Sequence, residues 1–469
     1  MDNCRKQTNL FTAVINSQED LFIPVVFLFA FFVRLFFLAF SDNFLSAEPM
    51  LNISASLHIF SEPALFNNIH YLQPPLLLYS LAIAIWLGAE QIIAPRFLML
   101  FFGCLTIWPF FKLVQYVWDR KTAIYAAVLL CCLPGHILYS SLTTSDVICA
   151  FFIITGLNFL FREKIAAAAA FFVLACGYSY FGWVVLLIAI LQLAITEGKS
   201  LETKTKTLMI FGAIVSPFIL LWLVLLKYKY GTYCLFTHNF LSYDYLIKTI
   251  YRTMLGVQTQ IKQLIKDLSL APAIVGILGM LANIIKRKQY NLMLWIGMII
   301  LFSCVQWFRE EIAIQRAAIL LLSILFLPFI AEGVFLVSKS AKAVFGAFSV
   351  VIITLICICF IFNAAGDASR VPGYIKEISG WLSANVKTND LIFMQRDERG
   401  YYSTIMMGSG LPQGNFYFLN EMMETLPVAL IKKSYLIREG VKLSKEVMGL
   451  KDIAKFGDFY VYQSIRRAQ

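Results

Sequence analysis

Charge is scarce in this 469-residue chain: 14% of residues are Asp, Glu, Lys or Arg, against 59% hydrophobic. A mean hydropathy of +0.74 excludes a water-soluble globule with one core and makes this a polytopic membrane protein. No CxxC pair occurs, and the ten cysteines fall mostly inside apolar runs, so neither a disulfide framework nor a structural zinc is expected. His58, His70, His136 and His238 lack metal-ligand spacing such as HExxH, which gives a protein-built zinc site only weak support. The chain also lacks an internal repeat, a low-complexity tract and a phosphate-cradling glycine motif.

The most informative absence is local. No Lys or Arg lies between Arg34 and Arg96, although Asp42, Glu48, His58, Glu62, His70 and Pro74-Pro75 do. Positive residues stay on the cytoplasmic side of a bilayer, so a basic-free loop between apolar spans reads as translocated, and residues 41–73 form an acidic external loop. The formal charge of +11 would suggest nucleic acid in a soluble protein. Here the basic residues Arg120-Lys121, Arg162, Lys199 to Lys206, Lys286 to Lys288 and Lys339 to Lys342 punctuate apolar spans, which is positive-inside patterning and anionic-lipid contact, with no nucleic-acid partner.

Residues 1–20 are polar and carry Arg5 and Lys6, a cytoplasmic segment; the apolar run that follows is too long for a cleavable signal and lacks a small-residue cleavage site. Runs of spanning length fall near 21–40, 92–117, 122–141, 147–161, 207–226, 268–285, 290–307, 317–337 and 343–363. Residues 165–195, broken at Gly177 and Gly182, predict two short helices, and Pro74 to Gly88 would reach only about 22 Å, which fits either a helix lying shallow or a partial span. The count is about 11–12 spans within residues 21–366, with 41–73, 140–146, 228–267 and 308–316 outside. From residue 367 to 469 Lys, Glu, Asp and Gly mix with short apolar runs, predicting a soluble extracytoplasmic α/β domain that opens with a helix over Ile375 to Asn385, a turn, and a strand over Leu391 to Met394.

Few residues here can carry chemistry. Glu48 follows the first span, where a carboxylate can work at the membrane surface on a lipid-borne substrate, though exposed carboxylates in external loops are usually only solvated. Asp146 closes the small-residue segment Ser140 to Asp146, and on local sequence it is the N-cap of a helix starting at Val147. Arg316 stands at the outer start of a span, against the positive-inside bias. It either pairs with Glu310 or Glu311, worth about 0–1 kcal/mol when exposed, or binds phosphate through its planar fork, with Arg309 in the same loop. His238 lies among Tyr230, Tyr233, Phe236, Phe240, Tyr243 and Tyr245, which an interfacial aromatic belt also explains. Asp42 and His70 share the loop of Glu48 and join His238 as candidate substrate-binding groups. A divalent cation held loosely by Glu48 or Asp146 is the one cofactor the sequence admits.

Taken in order, an acidic residue after the first span, Gln73-Pro74-Pro75-Leu76, Ala94-Pro95-Arg96-Phe97, Leu133-Pro134, Ser140 to Asp146 and Gln315-Arg316 form a series that resembles the GT-C membrane glycosyltransferases. The branch is that of the protein O-mannosyltransferases and aminoarabinose transferases (glycosyltransferase family 39-like), and the resemblance covers about residues 20 to 340. Ala47 stands where an Asp often precedes the family's Glu, a departure that bears on metal dependence and activity.

The resemblance implies Glu48 as catalytic base, Asp146 as a second acid at the reaction centre, and Arg316 as the contact to the donor's lipid phosphate. The implied reaction moves a sugar, hexosyl or pentosyl, from a polyprenyl-phosphate carrier to a lipid, glycan or protein acceptor on the extracytoplasmic face; the compact chain, with external loops that lack disulfide logic, points to a prokaryotic cell membrane. The competing classes are a multi-span transporter or lipid flippase and a non-catalytic scaffold of envelope polysaccharide synthesis. Transporters place ionisable residues near the bilayer midplane, whereas the acids here stand at span ends, which favours the enzyme.

Overall fold

The computed structural model describes residues 22–39, 47–59, 74–88, 91–195, 200–230, 264–285, 295–300, 312–340, 345–366 and 373–386, five strands beyond residue 390, and a few single positions. It divides into two compact units, residues 1–40 with 62–367 and residues 41–61 with 368–469.

The first unit is helical. In chain order it contains α1 (Phe22–Ala39); the second unit contributes α2 (Ala47–His58). The first unit resumes with α3 (Leu76–Gly88), α4 (Ile93–Leu105), α5 (Ile107–Val117), α6 (Arg120–Cys132), α7 (Pro134–Tyr139), α8 (Asp146–Phe161), α9 (Ile165–Tyr178), α10 (Tyr180–Ile195) and α11 (Leu201–Tyr230). It closes with α12 (Leu270–Ile285), α13 (Ile312–Ser340) and α14 (Phe345–Gly366). Among the described residues four helices are long and apolar enough to cross a membrane, Phe22–Ala39, Ile93–Val117, Leu201–Leu225 and Arg316–Ser338, and six more apolar helices are shorter. Leu76–Gly88 is one of the shorter ones.

Local chemistry sets the breaks. Thr106 joins α4 to α5 in helical conformation, its hydroxyl donating to the Phe102 carbonyl at 2.8 Å, and Pro109 lacks the N–H that would close the turn onto Leu105. The run 122–141, expected as one span, is two helices. Pro134 disfavours helical backbone at Leu133, which sits at φ −59, ψ 120, and then serves as the first residue of α7. The break expected at Gly177 and Gly182 falls between them, at Ser179, whose extended backbone ends α9 and whose Oγ accepts from the Phe181 N–H at 3.2 Å.

The core runs through α8, α9, α10 and α13. Phe172 is fully buried, stacked on Trp295 at a centroid distance of 6.3 Å, and Gly156 makes room for its ring. Helices α12 and α13 meet backbone to backbone: a Cβ on Gly279 would run into the Phe329 carbonyl, and one on Gly333 into the Val275 carbonyl. Small residues are what permits such an approach between apolar helices. Gly279→Leu and Gly333→Leu are each expected to lower the thermal midpoint by several degrees, since overpacking costs roughly 1–3 kcal/mol where the neighbour can shift and more where it is backbone. Scanning fluorimetry in detergent reads this directly.

In the second unit, besides α2, helix α15 (Gly373–Asn385) precedes strands β1 (Leu391–Gln395), β2 (Phe416–Leu419), β3 (Ser434–Glu439), β4 (Leu450–Phe456) and β5 (Phe459–Ser464). The sheet order is β2-β1-β3-β5-β4. β1 lies parallel to both neighbours, Ile392 opposite Phe416 and Tyr435, and β5 pairs antiparallel with β3 and β4.

Candidate active site

Ending α6 at Cys132 frees the carbonyls of its last turn, which need donors inside apolar surroundings. Arg34 of α1, fully buried, supplies them. Its Nη2 donates to the Leu130 carbonyl and its Nη1 to the Cys131 carbonyl, both at 3.5 Å, and Nη1 also to Ala30 at 3.1 Å. The same guanidinium reaches forward into the next segment, with Nη2 on His136 Nδ1 at 2.6 Å and Nε on Ser140 Oγ at 3.3 Å. An arginine can only donate, so Nδ1 is the accepting nitrogen and the neutral imidazole carries its hydrogen on Nε2.

Two further charged side chains hold the same stretch. Asp267 Oδ1 accepts from the Gly135 N–H at 2.7 Å, a carboxylate at the amino end of α7. Arg96 donates to the Ser141 carbonyl at 3.2 Å and to the Leu38 carbonyl at 2.6 Å, tying this segment to the last turn of α1. Ser140 and Ser141 return their hydroxyls to the His136 and Leu138 carbonyls at 2.5 and 2.7 Å.

The clamped segment delivers Asp146. It is the first residue of α8 and 1% exposed, where the helix's partial positive end favours a carboxylate. The cap is Ser145, without a side-chain bond, so Asp146 lies inside the helix and does not cap it from Val147. Residues 140–146, expected as an external loop, are all buried. Irregular backbone buried in a membrane protein is tolerated where protein groups satisfy it.

Arg316, 25% exposed, places its Nε 3.9 Å from Asp146 Oδ2. The pair joins residues that local sequence had given other partners, a cap for one and Glu310 or Glu311 for the other. Glu48 lies in the first turn of α2, partly exposed, in the second unit. Arg309, Asp42, His70 and His238 lie outside the described residues. Among the described residues no three His, Cys, Asp or Glu side chains gather as a metal site, and a guanidinium already faces Asp146 where a cation would compete with it. Sequence reasoning missed Arg34, Arg96, Asp267 and His136. The signal for Arg34 was present, a lone charge inside an otherwise uncharged apolar span.

No protein-family model and no curated protein sequence matches the chain. Solved structures do. ArnT from Cupriavidus metallidurans in the apo state superposes with a TM-score of 0.62 at 10% identity, over 96% of this chain and 98% of that one. The same protein bound to undecaprenyl phosphate gives 0.59 at 10% identity, over 95% and 98%. The archaeal oligosaccharyltransferase AglB from Archaeoglobus fulgidus, in complex with an inhibitory peptide and a dolichol-phosphate, gives 0.57 at 14% identity over 83% of this chain, which spans 64% of AglB's length. This chain is therefore an integral membrane protein with the GT-C fold of these glycosyltransferases.

Proposed function

We propose that this chain transfers a sugar from a polyprenyl-phosphate donor to an acceptor hydroxyl or amine on the extracytoplasmic side of a prokaryotic cell membrane. One observation carries the reading: a guanidinium paired with a buried carboxylate at Asp146 and Arg316, in a fold shared along 95% of the chain with a protein bound to undecaprenyl phosphate.

The acceptor oxygen or nitrogen attacks the anomeric carbon while the bond from that carbon to the phosphate oxygen breaks. The carrier phosphate leaves with the bonding pair and needs its charge stabilised more than it needs a proton. Arg316 does this, since a fixed guanidinium in a water-poor site keeps its charge and offers two parallel donors. Glu48 takes the acceptor's proton, and Asp146 orients Arg316. Residues 41–61 form one compact unit with 368–469, which supports a role for the C-terminal sheet, as a soluble extracytoplasmic domain, in selecting the acceptor.

The test is native mass spectrometry of wild type and Arg316→Ala purified in mild detergent. A polyprenyl-phosphate species is expected on the wild type and absent from the variant, its attached mass naming the sugar. Carrier retained equally by both removes Arg316 from the donor site. Its absence from both, beside a positive control, turns the reading toward transport or scaffolding.

A further inference from the structure

Most buried hydroxyls in the clamped segment have an evident partner. Ser140 Oγ donates to the His136 carbonyl and accepts from Arg34, and Ser141 Oγ donates to the Leu138 carbonyl. Thr144, 1% exposed, differs: among the described residues its buried Oγ1 has no hydrogen-bond partner. The same is true of His136 Nε2 eight residues earlier, the nitrogen that carries the hydrogen once Arg34 has claimed Nδ1.

Buried polar atoms are nearly always paired, because an unpaired hydroxyl gives up its hydration and gains no bond in exchange. Two unpaired groups able to donate therefore lie on one short, immobilised stretch that ends at Asp146. Among the described residues the hydrogen-bond partners of Arg34 are neutral, being three carbonyls, a hydroxyl and an imidazole. Three guanidiniums, Arg34, Arg96 and Arg316, and two carboxylates, Asp146 and Asp267, meet at this segment; spare donors beside that small excess of positive charge suit an acceptor-only anion, and a phosphate ester is one.

We infer that the Thr144 hydroxyl is a binding group for the phosphate of the lipid donor, donating to one of its non-bridging oxygens beside Arg316. The inference rests on the donor reading above and deepens it. Among the described residues the hydroxyl has no protein partner, and the lipid phosphate supplies one.

The closing experiment compares wild type, Thr144→Val, Thr144→Ser and Arg316→Ala as full-length chains in detergent. Undecaprenyl phosphate is titrated by native mass spectrometry, inorganic phosphate serves as competitor, and thermal midpoints are recorded alongside. Thr144→Val is expected to bind undecaprenyl phosphate about tenfold more weakly while Thr144→Ser binds as wild type. The Val variant's midpoint should stay level or rise, because an apolar group of the same shape replaces an unpaired hydroxyl. Binding lost in Arg316→Ala but kept in Thr144→Val overturns the inference and leaves the donor reading standing. Binding kept in both overturns the two together. A midpoint several degrees lower in Thr144→Val shows a hydroxyl already paired at rest and also overturns the inference, as does a substitution that changes competition by inorganic phosphate but not lipid binding.

Discussion

Glu48→Gln is expected to fold as the wild type does and to transfer sugar about 10²–10⁴-fold more slowly, the usual contribution of a positioned general base. Glu48 occupies the first turn of α2 and is partly exposed, so an amide of the same shape removes its proton affinity with little change in packing. The loss should fall on the chemical step alone. Single-turnover transfer from a radiolabelled polyprenyl-phosphate sugar should slow, while donor binding and the thermal midpoint stay at wild-type values. Transfer at the wild-type rate would place the base elsewhere.

Arg34→Met is expected to cost the most stability of any single change in the helical unit, roughly 3–5 kcal/mol, and to reduce the yield of folded protein sharply. The guanidinium serves the Leu130 and Cys131 carbonyls, His136 Nδ1 and Ser140 Oγ at once, and methionine fills its volume while serving none of them. Lysine should rescue only part of the loss, because one ammonium cannot span donors that a planar fork places in five directions. Size-exclusion profiles and thermal midpoints in detergent test this, and a Met variant as stable as wild type would mean those acceptors find other donors.

The helices were legible where composition decides them. Apolar runs at 21–40, 92–117, 207–226 and 317–337 became the four stretches that, among the described residues, are long and apolar enough to cross a membrane, because hydropathy over about twenty residues is a property of the segment alone. The break at Leu133 was written in Pro134, yet a run of uniform hydropathy masked it. Three-dimensional partnership was not legible. Arg316 had Glu310 and Glu311 as near neighbours, and Asp146, 170 positions away, emerged as its partner only when α8 and α13 packed together. Likewise Arg34, Arg96 and Asp267 converge on one short segment from three distant places, and no local period records such convergence. Asp146 and Arg316 could be picked out singly because each sits where its residue type is out of place, an acid within a run of hydroxyls and an Arg against the charge bias.

The bond between Arg34 and His136 spans 102 positions, and this sets a timetable for biogenesis. At about 5–20 residues per second, the first helix leaves the ribosome roughly 5–20 seconds before the segment that satisfies its arginine exists. During that interval α1 carries an uncompensated cation, costly at the bilayer centre by about 2.5–3.5 kcal/mol on insertion scales. The newborn helix must wait beside the translocon or ride shallow, with the guanidinium reaching for the headgroups, until α6 and α7 arrive to draw it in. Final seating of the first span is then a post-insertional event, and a chain truncated before residue 130 should leave Arg34 open to an aqueous arginine-modifying reagent that the full-length protein shuts out.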